Sequence, residues 1–393
     1  MSIDRTLAGV LRGEASAWAD WRLEGATDEK LFERAAWHGV TALVAHQLAT
    51  TPAGDGCPAP IRAEAERRGA KIAAQEGLVA HELRRVFSGF EDAHVRPILF
   101  KGTALAYSHY PQPSLRERSD TDLFVSLRDF TVVENTLASL GYERRLPLGD
   151  GATCKQAWFE KRDRFGLKHA VDVHWRISNR PLLMDLVSYD ELAARAEPVP
   201  SLHPSAIVPC PLHALLLAAV HRVAHHDNAT ELAWLHDIAR LASVLGADGL
   251  EEFRRLAEHR RVSAICANAM EVTAELLGTP VAPRDWLDDW RAGALRRREP
   301  SVIYLSHAPW LGDQAISDFL TQPDWPARFR YAAELVFPSA RYLLARYGFE
   351  SRAVVPFLHL WRLATGTFKL AGRVTRDLSS AATSMKVSHD DTV

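Results

Sequence analysis

Apolar positions recur at helical intervals from about Asp28 to Phe90. In LFERAAWHGVTALVAHQL, Leu31, Ala35, Val40, Leu43 and Leu48 repeat at turn-like spacing. A Pro- and Gly-rich break covers 50–60, and a more charged helix follows through Glu64, Arg67, Lys71, Leu78 and Leu83. The pattern changes at Val95. RPILF is a short apolar, β-type run ending at Lys101-Gly102, and TALAYSHY reads as a helix. Strand-like segments follow at 121–126 (TDLFVS), near 142–145 (YERR), near 157–161 (AWFEK) and at 169–177 (HAVDVHWRI). The loop PQPSLRERS precedes the first of these, and the helix DFTVVENTLASLG, ending on Gly141, comes after it. After Pro211 the pattern is almost wholly helical, led by LHALLLAAVHRVAHH and ATELAWLHDIARLASVL. This alternation predicts an α+β (mixed α/β) chain: a helical region over 1–88, a small mixed sheet core over 89–204, a helical domain over 205–378 and a polar tail over 379–393.

Composition narrows the function classes. The 393 residues are 47% hydrophobic and 24% charged, enough apolar material for real cores. Lys and Arg (47) nearly cancel Asp and Glu (49), so no whole-protein field draws long nucleic acid or anionic lipid. Cys57, Cys154, Cys210 and Cys266 have no paired spacing, which speaks against a zinc ribbon or a disulfide framework. The first twenty residues lack a basic-then-apolar leader pattern, and the longest apolar run, 212–220, is too short to span a bilayer. A cytoplasmic protein without a membrane partner is expected.

Three acids carry the chemistry. Asp120 and Asp122 are one residue apart at the mouth of an apolar strand, so alternation puts both on one face. Asp172 lies between Val171 and Val173 and shares a face with His174. A carboxylate among buried β-branched residues is costly unless paired or bound to metal, and three together call for a hard cation such as Mg²⁺ (or Mn²⁺). Lys101-Gly102-Thr103 adds a strand end, a Gly that permits close backbone approach and a helix start, which together suit a phosphate.

Gly-Thr at a strand–helix turn, then Asp-x-Asp, then a lone Asp on a later strand resembles the polymerase-β-type nucleotidyltransferase superfamily. Within it, ILFKGTALA, the Tyr110-x-x-Pro113-x-x-Arg116 loop, SDTDLFV and VDVHWRI resemble the uncharacterised bacterial nucleotidyltransferase family, as do ERAAWHGVTALVAHQL and ELAWLHDIARL. The resemblance implies a five-stranded or similar mixed sheet, Mg²⁺ and a nucleoside triphosphate donor. By motif position it implies that Gly102 and Thr103 hold phosphates and that Asp120, Asp122 and Asp172 hold metal and act in catalysis. Its members often sit in peptide or polysaccharide biosynthesis loci. Lys101 before the Gly, Thr in the second position and the long gap to Asp120 depart from the wider superfamily.

Other residues keep two readings. Lys101 either contacts phosphate or pairs with one of the acids. Arg116 and Arg118 either bind triphosphate or brace their loop by pairing with Glu117 and Asp120. His174 is either a substrate contact or a half-buried strand histidine. His221 and His225 share a helical face but lack the glutamate of a zinc hydrolase motif, and His236-Asp237 is expected to brace the helices against the core. The acceptor, a small molecule, sugar phosphate or peptide, is expected near Arg222, His225 and Trp234. Two rivals remain: a catalytically degenerate nucleotide- or partner-binding module, and a metal phosphohydrolase using the His-rich helices.

Overall fold

The computed structural model describes residues 2–19, 21, 27–145, 154–226, 228–278, 282–305, 316, 318–322 and 324–365. The polar tail over 379–393 lies outside them. The chain divides into two compact units, one built from residues up to 145 and from 155 to 321, the other mainly from 322 onward.

The first unit opens with helices α1 (Ser2–Leu11), α2 (Asp28–Trp37), α3 (Thr41–Thr50) and α4 (Ala59–Asp92). Thr27 starts α2 by accepting the Lys30 N–H, and Asp28 and Glu29 in the first turn complement the helix dipole. Then come β1 (Ile98–Phe100), α5 (Lys101–Ser108), β2 (Thr121–Phe124), α6 (Phe130–Ser139), β3 (Glu143–Arg144), β4 (Gln156–Arg162) and β5 (Lys168–His174). They are followed by α7 (Tyr189–Ala194), β6 (Glu197–Pro198) and β7 (Ile207–Val208). Helices α8 (Pro211–His226), α9 (Leu232–His259), α10 (Ser263–Leu277) and α11 (Arg284–Arg296) follow. The second unit contains α12 (Trp325–Val336) and α13 (Ala340–Tyr347).

The chain is thus mixed α+β, with a seven-stranded sheet in the order β3-β4-β5-β2-β1-β7-β6 and helices at both ends. Strand β2 runs antiparallel to β1 and parallel to β5. The five strands expected from the sequence are present. Strands β6 and β7 enlarge the sheet beyond the expected five; each is two residues long, too short for alternation to register.

Alternation sorts the strand residues into two layers. Leu99, Leu123, Val171 and Val173 point to one side, where they pack with Leu83, Val86, Phe87 and Phe90 of α4 and Val133 and Leu137 of α6. Ile98, Phe100 and Phe124 point to the other, into the core shared with α8, α9 and α10. Asp122, Asp172 and His174 alternate with the first set, so they lie on the face of Phe100 and Phe124. Burying Leu123, Val171 and Val173 holds this arrangement at roughly 1.5–3 kcal/mol for each fully buried side chain. Among the described residues, no helix is long and apolar enough to cross a membrane.

Candidate active site

Parallel register sets Asp122 of β2 directly beside Asp172 of β5. His174, two residues on, places Nε2 3.0 Å from both Asp122 Oδ1 and Asp172 Oδ2, and one ring N–H serves the two carboxylates. Lys101 Nζ donates to Asp122 Oδ1 at 2.7 Å and lies 3.4 Å from His174 Nε2. Gln156 of β4 donates to Asp172 Oδ2 at 2.7 Å. Asp172 Oδ1 is buried with no partner. Lys101 reaches this position from a left-handed backbone, φ 55°, at the turn from β1 into α5. A side chain other than Gly adopts that conformation only where its surroundings impose it.

The electrostatics follow from burial and these contacts. Burial alone would raise Asp122, but Lys101 and His174 hold its carboxyl well below the usual carboxylate range. Asp120, just ahead of β2, is pushed up to about 6, first by burial and then by Asp122, with Lys101 opposing. His174 is lowered by burial and by Lys101, yet its pairs with Asp172 and Asp122 outweigh both and raise it. Lys101 therefore pairs with an acid, one of its two expected roles.

The donor set fits a hard divalent cation. Asp122, Asp172 and His174 each offer an atom within 4.8 Å of the others, the only such trio among the described residues. The partnerless Asp172 Oδ1 and the mutually repelling Asp120 are the groups a cation would satisfy.

Lys101, Asp120, Asp122, Gln156 and Asp172 line a cleft of about 680 Å³, with His174 buried behind them. Gly102 lines it at the N-terminus of α5, packed over the Arg116 guanidinium, which would lie 3.6 Å from a Cβ there. Thr103 is buried, and its hydroxyl donates to the Asp120 carbonyl at 3.2 Å, so it pins the loop and is turned away from the cleft. Arg118 lines the cleft but donates to Glu76 at 2.8 Å, not to Glu117 or Asp120. Arg116 pairs with Asp237 of α9: Nη2 lies 2.8 Å from Oδ2, and Nε donates to both carboxylate oxygens at 2.9 Å.

Tyr110 joins that cluster. Its hydroxyl donates to Asp237 Oδ1 at 2.7 Å and lies 3.0 Å from His236 Nδ1. Burial, with Arg240 and Arg116, lowers His236 to about 3, so it is a neutral partner. Tyr110 and Arg116 of the loop thus converge on His236-Asp237 of α9, more than 120 residues later. The two motifs form one buried brace.

The acceptor-side residues separate. Trp234 lines the cleft with His221 and His226, and the His226 and Trp234 rings are 4.2 Å apart. Arg222 is fully buried and donates to the Asn228 carbonyl and to Asn268 of α10. It is not a cleft residue, because its place on α8 turns it into the helix pack; burial lowers its guanidinium to about 10. The His225 side chain lies outside the described residues.

Gln156, His226, Glu231 and Trp37 line the cleft without having been singled out in the sequence. Gln156 stands opposite His174 across β4 and β5, a relation only strand register creates. His226 is one residue from the expected His225, within reach of a helical-face argument.

No curated protein matches the chain. A family model described as an uncharacterised nucleotidyltransferase matches residues 24–278, which include every element around the cleft. The match covers well over half of the chain, and the chain belongs to this uncharacterised nucleotidyltransferase family.

Proposed function

We propose that the protein transfers a nucleoside monophosphate from a nucleoside triphosphate, with Mg²⁺ (or Mn²⁺), to a hydroxyl, phosphate or similar group of a small molecule, sugar phosphate or peptide, releasing pyrophosphate. The observation that carries this reading is the side-by-side register of Asp122 and Asp172, with Asp120 beside them, at the floor of an open cleft next to a helix N-terminus. Asp120, Asp122 and Asp172 would hold the cation, whose chemistry when bound is to neutralise charge building on the transferred phosphoryl group.

The chain's own groups supply the rest. The N-terminal amides of α5 at Gly102 would face the anionic phosphates, and Lys101 would add a fixed positive charge. Asp172 would complete the cation site through its partnerless Oδ1 and in that way help activate the attacking group. The opposite wall, with Trp234, His221 and His226, offers flat faces for a planar or anionic acceptor. Arg116 and Arg118 act by holding the loop rather than by touching the donor.

Calorimetry with ATP, GTP, CTP and UTP, each with and without Mg²⁺, tests the reading. Metal-dependent binding of at least one nucleotide is expected, together with its loss in Asp172→Asn. Binding that ignores metal would make the protein a non-catalytic nucleotide module. Phosphate release that survives Asp172→Asn and needs His236 would make it a hydrolase.

A further inference from the structure

We infer that Lys101 is a built-in cation that occupies the place of one metal ion, so the site takes a single divalent ion where Lys101 is present and two where it is not. This rests on the nucleotidyltransferase reading and adds to it how the carboxylates are shared out.

The division follows from which oxygens are already engaged. Asp122 Oδ1 receives both the Lys101 ammonium, at 2.7 Å, and the His174 N–H, at 3.0 Å. A divalent ion bound to that oxygen would come within a few ångströms of the ammonium, with like charges facing each other in a buried setting. Asp172 Oδ2 is engaged by His174 and Gln156. Asp172 Oδ1 has no partner, and Asp120 lines the same cleft near enough for the Asp172 charge to act on it. One ion therefore finds its protein ligands at Asp120 and Asp172. Two carboxylates are a sufficient protein share for Mg²⁺, which completes its octahedron with water and phosphate oxygens.

The ammonium is held in place. Lys101 is only 12% exposed at its side chain, and its Nζ lies 4.8 Å from the centre of the Phe100 ring. Its φ of 55° gives the side chain a start that a helical or extended residue would not have. A flexible phosphate-gripping lysine on an open surface would need neither the burial nor the unusual backbone. Lys101 thereby becomes a positioning residue that fixes metal number.

The test is Mn²⁺ binding to the nucleotide-free protein, read by electron paramagnetic resonance and calorimetry. The unmodified protein should bind one Mn²⁺ per chain, and Lys101→Met, which keeps the length and removes the charge, should bind two. Lys101→Arg should restore one. Should Lys101→Met fold poorly, Lys101→Gly suits the left-handed backbone and removes the same charge. Two ions in the unmodified protein, or one ion with unchanged affinity in both neutral variants, would overturn the inference while leaving the transferase reading standing. No ion in any of the proteins would remove both.

Discussion

Asp120 shows how a single carboxyl is set by its neighbours. Burial and the adjacent Asp122 raise it to about 6, so between about pH 4 and pH 6 the folded chain keeps a proton that the unfolded chain has released. Stability from this group therefore falls as pH rises through that window, and the full penalty applies above it. Asp120→Asn should remove the penalty, giving a gain of order 2 kcal/mol at pH 8 that disappears near pH 4. Thermal melts of both proteins across pH 4–8 in chelator-treated buffer would check it; parallel curves would contradict the assignment. Asp122 behaves in the opposite way. Its charge is matched by Lys101, so Asp122→Asn strands a buried ammonium, and the gain from removing a repelling acid belongs to Asp120 instead. The pairing that decides this was open in the sequence, because no spacing rule tells Lys101 which acid it will meet.

The elements were easier to read than their meeting points. Helices α2, α3, α4, α8 and α9 and each strand of four or more residues announced themselves by period, Asp120 and Asp122 by their place at the mouth of a strand, and Asp172 by its place between two valines. Hidden were the relations made by register and packing: Gln156 opposite His174, Thr103 turned to the Asp120 carbonyl, Arg222 aimed away from the cleft. Arg222 stands on the same helix as the cleft-lining His221, and a one-residue step of 100° separates wall from core. The brace between loop and α9 is the element-level feature with the largest measurable consequence. Asp237→Ala leaves Arg116 charged and buried without its counter-ion, holding only the Glu117 carbonyl, and should cost about 3–5 kcal/mol in denaturant unfolding. Adding Arg116→Met should recover part of that loss, since the stranded charge is then gone. A double variant weaker than Asp237→Ala would argue that packing, not charge, holds the loop.

The molecule as a whole joins two units of different standing. The family match stops at residue 278, and the cleft, the sheet and both apolar layers lie in the first unit. Arg180 and Tyr304 meet Asp318 before that unit closes at Thr321. A chain ending at Thr321 should accordingly unfold in one cooperative transition and bind Mg²⁺–nucleotide as the full chain does, as calorimetry and circular dichroism can check. Loss of cooperative unfolding would make the second unit part of the fold rather than an addition to it. The expected boundary at 204–205 cuts between β6 and β7, since a strand pair of two residues each leaves no mark in the sequence.

Asp237 ties down both sides of the cleft at once, the loop through Tyr110 and Arg116 and the helical wall through its own place on α9. Neither side can swing outward without abandoning an ion in the interior. Such a cleft is ready-made: it admits substrate by diffusion through its open side and does not wait for a lid. On the proposed transferase reading, the pace of turnover would then fall to bond-making or to the departure of pyrophosphate, and selectivity would rest on fixed shape rather than on closure around the right guest.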